Sequence, residues 1–334
     1  VAAPRMISCV LALATLTLGA CSAATPRPSG GQPVVSGVGG GSGTASSGAP
    51  SSGTATGPAQ TAAPSASALD PAAYKTELAT RRKAMAGALD SMVAARKPKT
   101  LGQRAQRATE AIEDGAAALA AVTPPDQVRA QHDAYVASLR DFATALGGTA
   151  GKVGSRDLCT SSAALTDVGG ALKALDQAGQ ALQQAGDYPA DVVTVKAGAK
   201  KTRRLGNGTF IRRSTLNGRS SLQIDNGGTR DAVVTMVKGG SKTVSVYVRK
   251  KSKFKVSGVR DGSYKIYFTH GVDWDGKARA FTRECSFERF EKSVSFKTTF
   301  TATQIRWHDW RITLHAINGG NARTADVDPD DFPS

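Results

Sequence analysis

Apolar and polar positions follow three different rhythms along this chain. Between Asp70 and Tyr188 the apolar residues recur at three- and four-residue steps, the period of amphipathic helices. Tyr74, Leu78, Met85, Leu89 and Met92 form the first stripe. Asp70-Pro71 opens it as an N-cap followed by proline at the first helical position, and Lys97-Pro98 closes it. Leu101, Ala105, Ala108, Ile112, Leu119 and Val122 form the second, which Pro124-Pro125 breaks. The third begins at Asp126 and runs through Val128, Tyr135, Leu139, Phe142 and Leu146. The fourth carries Leu158, Leu165, Val168, Leu172, Leu175 and Leu182, up to Asp187-Tyr188-Pro189. Four stripes with short connections predict an antiparallel four-helix bundle over residues 70–189.

Beyond about residue 192 the period falls to two. Val244, Val246 and Val248 alternate with Thr243, Ser245 and Tyr247, and Tyr264, Ile266 and Phe268 alternate with Lys265 and Tyr267. Further strands are expected at Ser221–Ile224, Ala232–Val237, Phe254–Val256, Phe281–Phe287, Val294–Phe300 and Trp307–Ala316, with Asn226-Gly227-Gly228, Gly239-Gly240 and Asp261-Gly262 as turns. About eight short strands at this spacing predict an all-β sandwich over 190–323, with a partly open barrel as the alternative. Asp261-Gly262-Ser263-Tyr264-Lys265-Ile266 resembles the polar-Gly-x-Tyr-x-aliphatic strand of Ig-like and prealbumin-like modules of secreted proteins. The acidic stretch 324–334 lacks calcium-loop spacing and reads as a solvated end, free to lie against the basic sandwich.

The third rhythm is at the front. Arg5 precedes the apolar run 7–18, which is too short for a spanning helix and fits a secretory signal peptide. The run ends in Leu18-Gly19-Ala20-Cys21, which resembles the lipobox of bacterial lipoproteins. The resemblance implies cleavage after residue 20, a lipid on Cys21 and a place on the extracytoplasmic face of the cell membrane. Residues 22–69 are Ser, Gly, Ala, Pro and Thr with almost no large apolar side chain, a composition that predicts a disordered tether. The fold class is therefore α+β multidomain: signal peptide 1–20, lipidated cysteine and tether 21–69, bundle, sandwich and tail. Val122-Thr123-Pro124-Pro125, followed by His132 and Leu139, resembles small helical lipoproteins of high-GC Gram-positive bacteria, a resemblance that implies no activity.

Charge changes this picture on one side only. The formal net charge is +16; residues 71–190 carry 14 Lys and Arg against 12 Asp and Glu, whereas 191–334 carry 27 against 14. A basic sandwich attracts polyanions, and the expected contacts are Lys200, Lys201, Arg203, Arg204, Arg212, Arg213, Lys250, Lys251 and Lys253. The expected partners are the membrane through the anchor, and anionic wall polymers, anionic lipid headgroups or another envelope protein. An extracellular place leaves nucleic acid outside that set.

Catalytic and metal motifs are sparse. There is no Gly-x-Ser-x-Gly elbow, no phosphate loop and no zinc spacing, so no cofactor is expected and a non-catalytic role is preferred. His132 stands alone in the helical part and reads as a satisfied, half-buried histidine rather than a ligand. Thr269-His270-Gly271-Val272-Asp273-Trp274-Asp275-Gly276-Lys277 gathers one histidine, two aspartates and a tryptophan, but fits no calcium-loop register. It reads as a long turn whose aspartates cap backbone amides; the rival is a hydrolase loop built on His270, Asp273 and Asp275. Cys159 and Cys285 leave two readings open, a pair of buried thiols or a disulfide between the two halves.

Overall fold

The computed structural model describes residues 67–315 and 322–333. The expected signal peptide, Cys21 and the tether as far as residue 66 lie outside the described residues. Among the described residues, helices come first and strands follow: α1 (Pro71–Val93), α2 (Pro98–Ala120), α3 (Arg129–Gly154), α4 (Ser161–Asp167) and α5 (Gly169–Gly186), with a 3-10 turn at Asp126–Val128 leading into α3. None of these helices is long and apolar enough to cross a membrane.

Local signals explain the helix ends. The Asp70 carboxylate accepts from the backbone N–H of Ala72 and Ala73 at 2.9 and 3.0 Å, satisfying two of the donors a helix start leaves open. Pro98 occupies the first turn of α2, and Asp187 ends α5 in the left-handed region at φ 59°. The stripes face inward, so Tyr74, Leu78, Leu89, Leu101, Ile112, Leu139, Phe142, Leu172 and Leu182 share one core. Burying each large side chain contributes about 1.5–3 kcal/mol.

The fourth stripe departs from expectation, because it is two helices broken at Val168. Gly169-Gly170 is a poor helix interior, and the following chain packs across the break: Thr166 donates to the Gly198 carbonyl at 2.9 Å. The helical core also reaches past Pro189, since Tyr188, Ala190 and Val192 are buried in it. Gly179 permits this approach, because a Cβ there would meet the Ala190 carbonyl oxygen at 2.5 Å.

The strands are β1 (Phe210–Arg213), β2 (Ser220–Asn226), β3 (Asp231–Lys238), β4 (Ser241–Val248), β5 (Ser252–Val259), β6 (Gly262–Asp275), β7 (Ala280–Phe290), β8 (Val294–Phe296), β9 (Thr298–Phe300), β10 (Ile305–Trp307), β11 (Trp310–Thr313) and β12 (Thr324–Asp326). The large sheet is antiparallel with order β1-β4-β3-β6-β7-β12, and β8 pairs with the start of β6. A second sheet, β11-β2-β5, supplies Leu222, Ile224 and Val256 against Val234, Val246, Ile266 and Phe268, giving a sandwich-like core. On the other face of the large sheet Val233, Tyr247, Trp274, Phe281 and Cys285 pack together with Cys159. A strand covered on both faces needs no alternation, and β3 is buried from Asp231 to Val237.

Three expectations are corrected here. Thr269–Asp275 is the second half of β6, not a turn; only the residues after Asp275 turn. The expected strand Val294–Phe300 is split into β8 and β9. The acidic tail is not a solvated end: β12 pairs with β7, Val327 and Phe332 are buried, and the Phe332 ring meets Tyr267 and Phe287. Lys97 reaches the Asp330 carbonyl at 2.8 Å, and Lys99 pairs with Asp328 at 3.4 Å.

Candidate functional site

The segment 196–204 crosses from the helical core to the ends of β3 and β6, and two arginines fix its path. Arg203 grips Asp273 with three donors: its backbone N–H at 2.6 Å, Nε at 3.0 Å and Nη2 at 2.8 Å. Thr282 adds a hydrogen bond at 2.8 Å, and Arg203 Nη1 reaches Asp275 at 3.2 Å. Burial pushes the Asp273 carboxyl upward, but Arg203 and Thr282 outweigh it and hold the group down at about 2. Asp273, two residues before the end of β6, takes a positive φ of 60°.

Arg204 makes a second clamp. Its Nε and Nη2 donate to the two oxygens of buried Asp231, both at 2.6 Å. The Tyr247 hydroxyl and the Lys250 backbone N–H complete the set at 2.5 and 2.9 Å. Burial raises the Asp231 carboxyl, yet these donors together keep it below the ordinary carboxylate range. Burial and the facing carboxylate push the Tyr247 hydroxyl up. Arg203 and Arg204 each pair with a buried acid, while their own side chains stay 39% exposed.

Beside the first clamp lies a cleft of about 460 Å³, lined from the helical side by Leu158, Ser162, Thr166 and Asp167 and from the β side by Asp273, Asp275, Thr282 and Arg283. Lys196, Lys200 and Lys201 form its rim. Its acids are already engaged: Asp273 and Asp275 by Arg203, and Asp167 by Thr149 at 2.5 Å and by Lys152 at 2.9 Å. Among the described residues Lys196, Lys200 and Lys201 enter no ion pair. Arg283 donates to the Lys201 carbonyl at 2.8 Å, which draws its guanidinium to the same rim.

The other expected contacts lie elsewhere. Arg212 donates to the Lys242 carbonyl at 3.0 Å, and Arg213 lies over the Phe210 ring at 5.0 Å. The Lys250 side chain is exposed. Lys251 donates to the Gly227 carbonyl at 2.6 Å, and Lys253 pairs with Asp225 at 3.3 Å. Of the nine, only Lys200, Lys201 and Arg203 share the cleft. Lys196 and Arg283 join them without having been anticipated, since neither sits in a local run of basic residues.

His270 is set apart from the two aspartates. Its ring is buried, approaches Ser286 at 3.4 Å and packs on Phe268, and burial with nearby Arg230 lowers its pKa to about 4. Asp275 accepts from the backbone N–H of Lys277 and Ala278 at 2.9 and 3.2 Å. His132 is fully buried, and its Nδ1 meets the Tyr74 hydroxyl at 2.8 Å.

Cys159 and Cys285 are joined by a disulfide behind the cleft, 126 residues apart in sequence. Backbone bonds accompany it: Cys159 N–H donates to the Thr282 carbonyl at 2.8 Å and Cys285 N–H to the Arg156 carbonyl at 3.0 Å. Comparison with family models, curated proteins and solved structures finds no match to this chain.

Proposed function

We propose that this chain is a lipid-anchored, extracytoplasmic envelope protein that binds anionic polymer non-catalytically, with the cleft between the helical and β parts as its contact site. The anchor is read from Leu18-Gly19-Ala20-Cys21 and places the protein at the cell membrane. The observation that carries the binding reading is the surplus of positive charge at the cleft rim, where Lys196, Lys200 and Lys201 surround acids that already have partners. Flexible lysines around a rigid ion-paired floor suit a repeating phosphate or carboxylate polymer better than one small molecule, because many weak contacts sum along the chain. We read α1, α2, α3 and the α4–α5 pair as a four-helix bundle with a broken last member, serving as a spacer and as one wall of the cleft.

Two features weigh against the hydrolase reading. Asp273 and Asp275 are both engaged by Arg203, which with their other donors holds both carboxyls below the ordinary range, Asp273 at about 2, so neither carries a proton to give at neutral pH. His270, the expected third member, has Ser286 and Phe268 as its neighbours instead.

Binding of long-chain polyphosphate to residues 22–334 tests the proposal. Affinity should fall steeply between 0.1 and 1 M salt, as the screening length shrinks from about 10 Å to about 3 Å. Lys200→Glu with Lys201→Glu should weaken binding about tenfold or more at the lower salt while leaving the melting temperature unchanged. Equal affinity for the variant, or no binding at low salt, sinks the cleft as a polyanion site.

A further inference from the structure

Among the described residues the large apolar side chains that stand exposed are Phe300 at 67%, Ile305 at 41%, Trp307 at 47% and Trp310 at 42%. All four belong to one short stretch, the β9–β10 hairpin and the first residue of β11. The pairing explains how they come together. Phe300 lies directly opposite Ile305, and Trp307 opposite Thr298, so Phe300, Ile305 and Trp307 share one face of the hairpin. Thr299 and Arg306 form the opposite face. An alternating pattern of this kind normally turns its apolar side to a core.

The hairpin is not a loose end. Asp261 accepts from Thr298 N–H at 2.8 Å and from its hydroxyl at 2.9 Å, Trp310 Nε1 donates to the Ser295 carbonyl at 2.8 Å, and Asp309 accepts from Ser221 N–H at 2.6 Å. Thr301 N–H donates to the Gln304 carbonyl at 2.8 Å and closes the tip. A two-stranded hairpin has little stability of its own, and here the body holds its base while the apolar face stays uncovered. Exposed patches of this kind mark contact surfaces.

We infer that this hairpin inserts its Phe300–Ile305–Trp307 face into the interfacial zone of an anionic lipid bilayer. Indole and phenyl rings partition to that zone, and cations beside them are drawn to anionic headgroups. The charges fit: Lys297 and Arg306 stand exposed in and beside the hairpin, Arg306 on its opposite face, while Arg311 pairs with Asp225 at 3.7 Å and the two nearby acids, Asp261 and Asp309, are engaged by Thr298 and by the Ser221 N–H. The choice of a bilayer rests on the anchored reading above. A lipid on Cys21 would keep the body within reach of one membrane, since residues 22–66 span at most roughly 160 Å when fully extended. Weak insertion then becomes an intramolecular event and does not need high affinity of its own.

The test uses residues 22–334, which retain the whole compact unit that begins at Ala62 and lack both the lipid and the apolar leader. The probe is a vesicle of mixed anionic and zwitterionic phospholipid with bromine placed high on the acyl chains, a short-range quencher of indole emission. Tryptophan emission should be quenched, and Trp307→Phe should remove at least about half of the quenched fraction. Phe300→Ser with Ile305→Ser should weaken partition about tenfold, the share expected from losing two exposed apolar anchors. Quenching that is unchanged in Trp307→Phe, or that is absent on anionic vesicles, overturns the inference. So does concentration-dependent dimerisation that shields Trp307 without lipid, which would make a second copy the occupant. Labelled fatty acid on Cys21 in cells reads the anchor separately, so either result can fail alone.

Discussion

The helical and β regions spend their polar groups differently. Among the described residues the helices bury Thr109, Thr149 and His132 but no carboxylate, and their ion pairs lie at the surface. The strands bury Asp231, Asp273 and His270, and each acid meets an arginine from the single segment 203–204. Apolar stripes settle which face of a helix turns inward but tolerate sliding. A buried carboxylate with three or four donors fixes its partner to within a few tenths of an ångström, because any slip strands a charge. The cleft wall is built by the second method, which fixes the ion-paired floor beneath the rim lysines.

The largest effect should come from the bond that joins the two regions. Closing a loop of this size contributes about 5 kcal/mol in the chain-entropy account. Replacing Cys159 and Cys285 by Ala should lower the unfolding free energy by about that much. Helical circular dichroism and tryptophan emission, which comes entirely from the β region, should then lose their common midpoint in denaturant. Coincident curves would show that the regions melt together without the bridge.

Next in size is Asp231→Asn, which leaves Arg204 facing a neutral amide. The expected cost is about 2–3 kcal/mol, less than for a fully buried pair because the Arg204 side chain is 39% exposed. Asp191→Asn, at the exposed Arg82–Asp191 pair of the helical region, should cost under about 1 kcal/mol. Similar losses at both sites would erase the contrast between the regions.

An effect of a different kind is on pH. The His270 ring is held near 4 by burial, whereas an unfolded chain takes the proton near 6.5, so the unfolded state binds more protons between those values. Stability due to this ring is therefore intact above about pH 6.5, falls as pH drops toward 4, and levels off below. His270→Gln should flatten that slope by on the order of 2 kcal/mol across the window. His132, lowered by its own burial, contributes in the same direction and remains as the residual slope. A wild-type slope equal to that of the variant would mean that His270 does not carry it.

Much of the element order was legible, because Asp70-Pro71, Lys97-Pro98 and the glycine pairs are local signals that act on their immediate neighbours. The break at Val168 was not, since its cause is the packing of residues 193–198 across Gly169 as much as the glycines themselves. The span 269–275 looked like a turn because Gly271 and Asp273 are turn residues. Gly271 instead makes room for Phe281, whose Cβ would lie 2.3 Å from an added Cβ, and Asp273 is held by an arginine 70 positions away. No window of sequence shows such a partner. The same distance hid the roles of Arg203 and Arg204, whose run of neighbouring cations suggested a surface patch, and it hid Arg283 as a member of the cleft.

The disulfide has a topological consequence. Residues 160–284 form a covalent ring that contains α4, α5 and all strands from β1 to β6. A protease that severs the backbone once anywhere in that ring leaves both pieces linked through sulfur, and a cut between residues 198 and 202 leaves one piece with the helical wall of the cleft and the other with its β wall. The wound becomes a loss only when a reductant follows. The exposed stretch 198–202 of the crossing segment can therefore be nicked without separating the two walls until the sulfur bond is reduced.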